Sequence, residues 1–268
     1  MPEGARVEDA LSPRSHDFYH RMLAVVLDHG IEFLVGGTYA LEHYAGITRP
    51  SKDLDLFVRP RDVKPMLDLL HSHGCRVELT FPHWLGKAFY GEDFIDIIFN
   101  AGNGVAPVDD LWFRHAERCK TFDHELMLCP AEETIWSKAW VMERERYDGA
   151  DVAHILRARA HHLDWPRLLD RFGDHWRVLL SHLVLFGFVY PGERHRVPEW
   201  VMQTMIERLS SESGEVSSIE RVCQGTLVSR EQYLIDIDRW DYADARLSNT
   251  SMTEADVAHW TAAIQNSR

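Results

Sequence analysis

Apolar positions recur at helical spacing in Phe18, Met22, Val25 and Val26, which predicts a first helix stopped by Gly30. The short apolar run Ile31 to Val35 reads as a strand. Gly36 and Gly37 lead from it into a second helix, Thr38 to Ala45, with Ala40 and Leu41 available to pack and Thr38 placed to cap. The period then changes to two. Leu54, Leu56 and Val58 alternate with Asp53, Asp55 and Phe57, so this segment is a strand with carboxylates on one face, ended by Pro60. Val63, Met66, Leu67 and Leu70 return to helical spacing, with Gly74 as the stop. Arg76 to Thr80, Gly86 to Tyr90 and Phe94 to Phe99 are short and rich in aromatic or β-branched residues, and Gly91, Glu92 and Asp93 supply a turn between the last two. They predict an antiparallel extension of the sheet, and further strands are expected near Cys119 to Phe122 and Leu126 to Cys129.

From Pro130 the pattern is helical almost to the end. The sequence therefore predicts an α+β chain, with a mixed sheet and flanking helices in residues 1–129 and a mainly helical region in residues 130–268. The stretch Ser210 to Ser218 holds five serines and a glycine, too polar for an element of its own, and reads as a surface loop.

Composition narrows the function classes. The 268 residues are 45% hydrophobic and 26% charged, which describes a globular chain and not a disordered one. Lys and Arg number 29 against 42 Asp and Glu, a net charge of -13 that opposes sequence-blind attraction to nucleic acid or anionic membranes. The longest apolar stretch, Val178 to Tyr190, is broken by Ser181 and His182 and falls short of the roughly 20 residues that span a bilayer. Met1 to Asp17 lacks an apolar core of secretory type, so cytoplasmic residence is expected. Cys75, Cys119, Cys129 and Cys223 are far apart and form no CxxC pair, as expected of reduced thiols.

The segment from Phe33 to Val58 carries the chemistry. A strand that ends in Gly36-Gly37 and enters a helix presents bare backbone amides at a positive helix terminus, where a phosphate can approach, and Thr38 can add a hydroxyl donor. Asp53 and Asp55 then project from one face of a strand, and two carboxylates that close repel unless a cation lies between them. Magnesium, or manganese, is the natural occupant when the other ligand is a nucleotide phosphate. A third acid, Asp96, stands in the apolar strand Phe94 to Phe99, where an uncompensated charge would cost several kcal/mol. If that strand pairs beside the Asp53 strand, three carboxylates converge, enough for two divalent cations about 3.5 to 4 Å apart.

In these residues the chain resembles the nucleotidyltransferases of the DNA polymerase beta superfamily, whose signature is a glycine pair opening a helix, Asp-x-Asp on a strand, and one more acid on a neighbouring strand. Gly36 and Gly37, Asp53 and Asp55, and Asp96 match those positions. Arg49 fits the arginine that often precedes the first acid in smaller members, and Ser51 stands where threonine is frequent. Glu133 to Leu156 is similar to the helical tail of bacterial stand-alone members of antitoxin-associated and abortive-infection type. On a helix from Ala131 to Met142, Lys138 falls inside the apolar stripe of Ile135, Ala139 and Met142, so it either snorkels outward or points at an anion. Asp148 and Asp151 are spaced as an N-cap with an acidic third residue, and capping is expected of both. Trp136 and Trp140 are read as core, His71 and His73 as structural, and Gly102-Asn103-Gly104 as a loop.

The resemblance implies transfer of a nucleoside monophosphate from a nucleoside triphosphate to an acceptor hydroxyl, on a small molecule, a tRNA end or a protein. Asp53, Asp55 and Asp96 would hold the metals, Gly36, Gly37 and Thr38 the triphosphate, and Arg49 or Lys138 would offset its charge. The acidic balance leans against RNA as acceptor. Two other readings use the same residues: a catalytically silent nucleotide-binding module, such as one half of a toxin-antitoxin pair with a partner protein, and a metal-dependent phosphohydrolase. An intact set of three acids speaks against the first, and the glycine pair ahead of the acids against the second.

Overall fold

The structure, a computed structural model, describes residues 6–51, 53–212, 221–248 and 250–265. It divides into two compact units, one formed by Met1–Pro130 with Ser251–Arg268, the other by Ala131–Thr250.

In the first unit α1 (Pro13–Asp28) is capped by Ser12, whose hydroxyl accepts from the Ser15 amide, and presents Phe18, Tyr19, Met22, Leu23 and Val26 to the core. The short β1 (Leu34–Val35) runs into α2 (Gly37–Ala45). Then come β2 (Asp53–Phe57) and α3 (Val63–Ser72), whose buried residues are Val63, Met66 and Leu70. The strands β3 (Arg76–Phe81), β4 (Leu85–Tyr90) and β5 (Asp93–Ile98) form the meander expected from the sequence. After α4 (Asp110–Arg114), β6 (Glu117–Thr121) and β7 (His124–Leu128) make a hairpin whose tight turn places Phe122 and Asp123 at positive φ.

The seven strands form one mixed sheet in the order β3-β4-β5-β2-β1-β7-β6, with β2 parallel to β5 and β1 parallel to β7. Alternation decides which side is core. Leu54, Leu56, Ile95, Ile97 and Ala88 have no exposed surface and pack with α1 and α3, each contributing about 1.5 to 3 kcal/mol for the larger side chains. The opposite face carries Asp53, Asp55 and Asp96.

The second unit contains α5 (Ala131–Lys138), α6 (Gly149–Arg159), α7 (Trp165–Phe172), α8 (Trp176–Val189), α9 (Glu199–Glu212), the strand β8 (Val222–Cys223), α10 (Leu234–Trp240), the strand β9 (Ala243–Asp244) paired with β8, and α11 (Ala245–Ser248). Trp136 and Trp140 are buried, Trp140 stacking on Phe172 with ring centres 6.2 Å apart. Glu133 has no exposed surface and is held by Arg167 and Arg171, a buried ion cluster that nothing in the apolar pattern announces. The chain then returns to the first unit with α12 (Glu254–Gln265), whose Trp260 lies against Gly102.

Several expectations are corrected. The first strand is only Leu34–Val35, the residues that find partners in Phe57, Leu56 and Leu128. Thr38 does not cap α2; the N-cap is Gly36, with no side-chain hydrogen bond. The helix beginning at Ala131 ends at Lys138, not Met142, because the Met142 amide donates to the Val228 carbonyl at 3.0 Å and Met142 bridges to Tyr147. Ser210 to Glu212 close α9 and are not loop; residues 213–218 of the expected loop lie outside the described residues. Among the described residues no helix is long and apolar enough to cross a membrane, and the four cysteines are free thiols.

Candidate active site

Parallel pairing of β2 with β5 sets Asp55 opposite Asp96 and Asp53 opposite Phe94. One ligand oxygen from each of Asp53, Asp55 and Asp96 lies within 4.8 Å of the other two. Each like-charged pair at that spacing costs about 3 kcal/mol at an effective dielectric near 20, so the cluster calls for positive charge. Burial pushes the Asp96 carboxyl above its ordinary range; Lys87 pulls it back and Asp53 raises it further. Asp53 is oriented by Ser51, whose hydroxyl donates to Oδ1 at 2.6 Å.

The glycine pair is built into the same cluster. The Gly36 amide donates to the Asp55 carbonyl at 3.1 Å, and a Cβ on Gly36 would meet the Phe57 ring at 2.3 Å and Cys129 Sγ at 3.1 Å. Gly37 has φ +58, and a Cβ there would lie 1.8 Å from Asp55 Oδ2. Both positions exclude a side chain because the Asp-x-Asp strand passes so near, and the start of α2 therefore faces the carboxylates directly. Thr38 follows on the first turn, half-buried, and Arg49 is exposed on the connection from α2 to β2.

Lys87 is the site residue that periodicity did not single out. It pairs with Asp96 across the β4–β5 hairpin, with Nζ 2.5 Å from Oδ1 and 4.4 Å from the centre of the Phe94 ring. The signal was present in the turn: placing Gly91 and Glu92 at its apex pairs Tyr90 with Asp93 and, counting outward, Lys87 with Asp96. Asp55, Asp96, Lys87 and Glu78 thus form one row across four adjacent strands.

Lys138 belongs to the second unit, where its ammonium lies 2.8 Å from Asp151 and 3.3 Å from Asp148. Asp148 occupies the N-cap position of α6 without a side-chain capping hydrogen bond, and Asp151, acidic in the first turn as expected, is also an ion-pair partner of Lys138. Burial opposes ionisation of Asp148, yet Arg146 and Lys138 outweigh it and hold the carboxyl below its usual range. The two acids are thus counter-ions of a part-buried lysine, whose ammonium would otherwise be uncompensated.

Three hard oxygen ligands at this spacing fit a magnesium or manganese ion, which prefers carboxylate donors. No protein-family model and no curated protein matches the sequence. Among solved structures the chain is similar to the antibiotic-resistance factor ANT(2'')-Ia, with 16% identity over 75% of this chain and 96% of that one and a TM-score of 0.38. It is similar to the lincosamide antibiotic adenylyltransferase LnuA, 12% identical over 54% of this chain and 96% of that one, at a TM-score of 0.38. JHP933 from Helicobacter pylori is a third, 14% identical over 75% of this chain and 97% of that one, at a TM-score of 0.39. With identities and scores this low, functional assignment rests on the geometry of the site.

Proposed function

We propose that the first unit is a metal-dependent nucleotidyltransferase of the DNA polymerase beta type, moving a nucleoside monophosphate from a nucleoside triphosphate to an acceptor hydroxyl with release of pyrophosphate. The observation that carries this reading is the meeting of Asp53, Asp55 and Asp96 on adjacent strands, directly beside the Gly36-Gly37 entry to α2. A nucleotide-binding module without chemistry would not need the third, buried acid.

In this reading Asp53, Asp55 and Asp96 would hold the divalent metal, and Asp96 would accept the proton of the acceptor hydroxyl. A bound Mg2+ or Mn2+ would neutralise the triphosphate and stabilise charge on the oxygens entering and leaving phosphorus. The bond from the acceptor oxygen to the α-phosphorus forms as the bond from that phosphorus to the bridging oxygen breaks, and pyrophosphate carries away the electron pair. The amides at the start of α2, with Thr38, cradle the triphosphate, and Arg49 adds positive charge. Lys138 has its charge met by Asp148 and Asp151, so we assign the triphosphate to the first unit alone.

The test is incubation with α-labelled nucleoside triphosphates and magnesium, against acceptors of three kinds: aminoglycoside and lincosamide antibiotics, tRNA, and protein including the chain itself. We expect label to move to one class with stoichiometric pyrophosphate, and the Asp53→Asn, Asp55→Asn double variant to fold normally yet lose both transfer and metal-dependent triphosphate binding. Full transfer by the double variant would sink the assignment, and free inorganic phosphate in place of pyrophosphate would favour a phosphohydrolase.

A further inference from the structure

The acidic cluster carries its own cation. Lys87 Nζ is 2.5 Å from Asp96 Oδ1, with a fifth of the side chain exposed. The Phe94 ring holds the ammonium from a second direction, at 4.4 Å, and an acid, Glu78, stands next along the row on the far strand, fixed by Arg76 at 2.9 Å and Thr80 at 2.9 Å. Rotation of the Asp96 carboxyl is therefore restrained through Oδ1, which leaves Oδ2 for another ligand.

We propose that Lys87 is a positioning residue for Asp96 and the internal counter-ion that sets how strongly the cluster draws divalent cations, an inference that rests on the nucleotidyltransferase reading. Three carboxylates and one ammonium leave a net charge of minus two, which one divalent cation cancels. Additional cation charge is then drawn only together with the negative charge of a triphosphate. Without Lys87 the cluster would attract cations more strongly while Asp96 lost the restraint on its orientation.

Two variants separate these effects. Lys87→Gln removes the charge but keeps a donor for Asp96; Lys87→Met removes both. Titration with Mn2+ followed by electron paramagnetic resonance, without nucleotide, should show one ion bound per native chain and roughly tenfold tighter binding in both variants. That size is what a unit positive charge about 5 Å from a divalent ion gives at the dielectric of bulk water, and weaker screening at the site enlarges it. Pyrophosphate release at saturating Mn2+ should fall at least tenfold in Lys87→Met and distinctly less in Lys87→Gln. A merely structural lysine would give the opposite sign, since a loosened site binds metal more weakly. Unchanged or weaker Mn2+ binding in the folded variants would overturn the proposal for Lys87 alone, with Lys87→Gln deciding if Lys87→Met does not fold. A native chain that binds no Mn2+ would overturn the nucleotidyltransferase reading, and this inference with it.

Discussion

Replacing Gly37 with alanine perturbs backbone and site together, and Gly46→Ala separates the two. Both glycines have positive φ, +58 at Gly37 and +66 at Gly46, but a Cβ on Gly46 meets nothing within 4 Å. Gly46→Ala should therefore carry only the left-handed backbone cost, about 1 to 2 kcal/mol. At Gly37 the new Cβ would stand 1.8 Å from Asp55 Oδ2. Restoring an ordinary contact moves that carboxylate by roughly 1.5 Å, and forced displacement in a packed site adds about 1 to 3 kcal/mol. Thermal denaturation should show Gly46→Ala melting about 3 to 6 °C below native and Gly37→Ala about twice as far below. Mn2+ affinity should be untouched at Gly46 and at least tenfold weaker at Gly37, because the shifted oxygen leaves the cluster. If Gly37→Ala melts with Gly46→Ala and binds Mn2+ like the native chain, Asp55 does not lie over Gly37, and the account of the glycine pair falls.

Burial lowers the proton affinity of His83, His175 and His182 below the ordinary value of about 6.5. Below that value the unfolded chain binds more protons than the folded one, so stability should drop as pH falls from about 6.5 through the folded-state values. His182→Gln, which keeps a donor for the Ala139 carbonyl now 2.8 Å from Nε2, should flatten melting temperature against pH over that window; an unaltered slope would refute the assignment for His182. Arg167→Met leaves the fully buried Glu133 with Arg171 as its cation and should destabilise by about 3 kcal/mol in urea titration, partly restored by adding Glu133→Gln; a loss under about 1 kcal/mol would mean that the ion cluster is not coupled to folding.

Much of the sheet could be read from period alone. Asp53 and Asp55 announce their face because Leu54 and Leu56 must be buried, and the two-residue alternation leaves the carboxylates no other side. Asp96 was conspicuous as a charge in an apolar strand, although its place beside Asp55 depends on a parallel pairing that no local pattern specifies. Lys87 was missed because an exposed-looking lysine on a strand carries no signal until register is counted across the turn. Thr38 is not the cap of α2, and Asp148 takes the N-cap position of α6 without the capping bond, for a related reason. Cap propensity is local, whereas the close passage of β2 and the charge of Lys138 are tertiary and take precedence. The buried Glu133 and the return of α12 to the first unit are also tertiary facts, with no periodicity to betray them.

That return has a consequence for how the molecule comes into being. The sheet and its acidic cluster are synthesised by Pro130, but the helix that seats Trp260 on Gly102 and sets Asp256 3.8 Å from His83 follows only after the whole of Ala131–Thr250. On the ribosome the first unit must wait, with the surface around Gly102 and His83 uncovered, while some 120 residues of another unit are made. In design terms Ala131–Thr250 is a cassette spliced into the first unit, so a chain cut at Thr250 removes a wall of the unit that holds the carboxylates, far away in sequence from anything they touch.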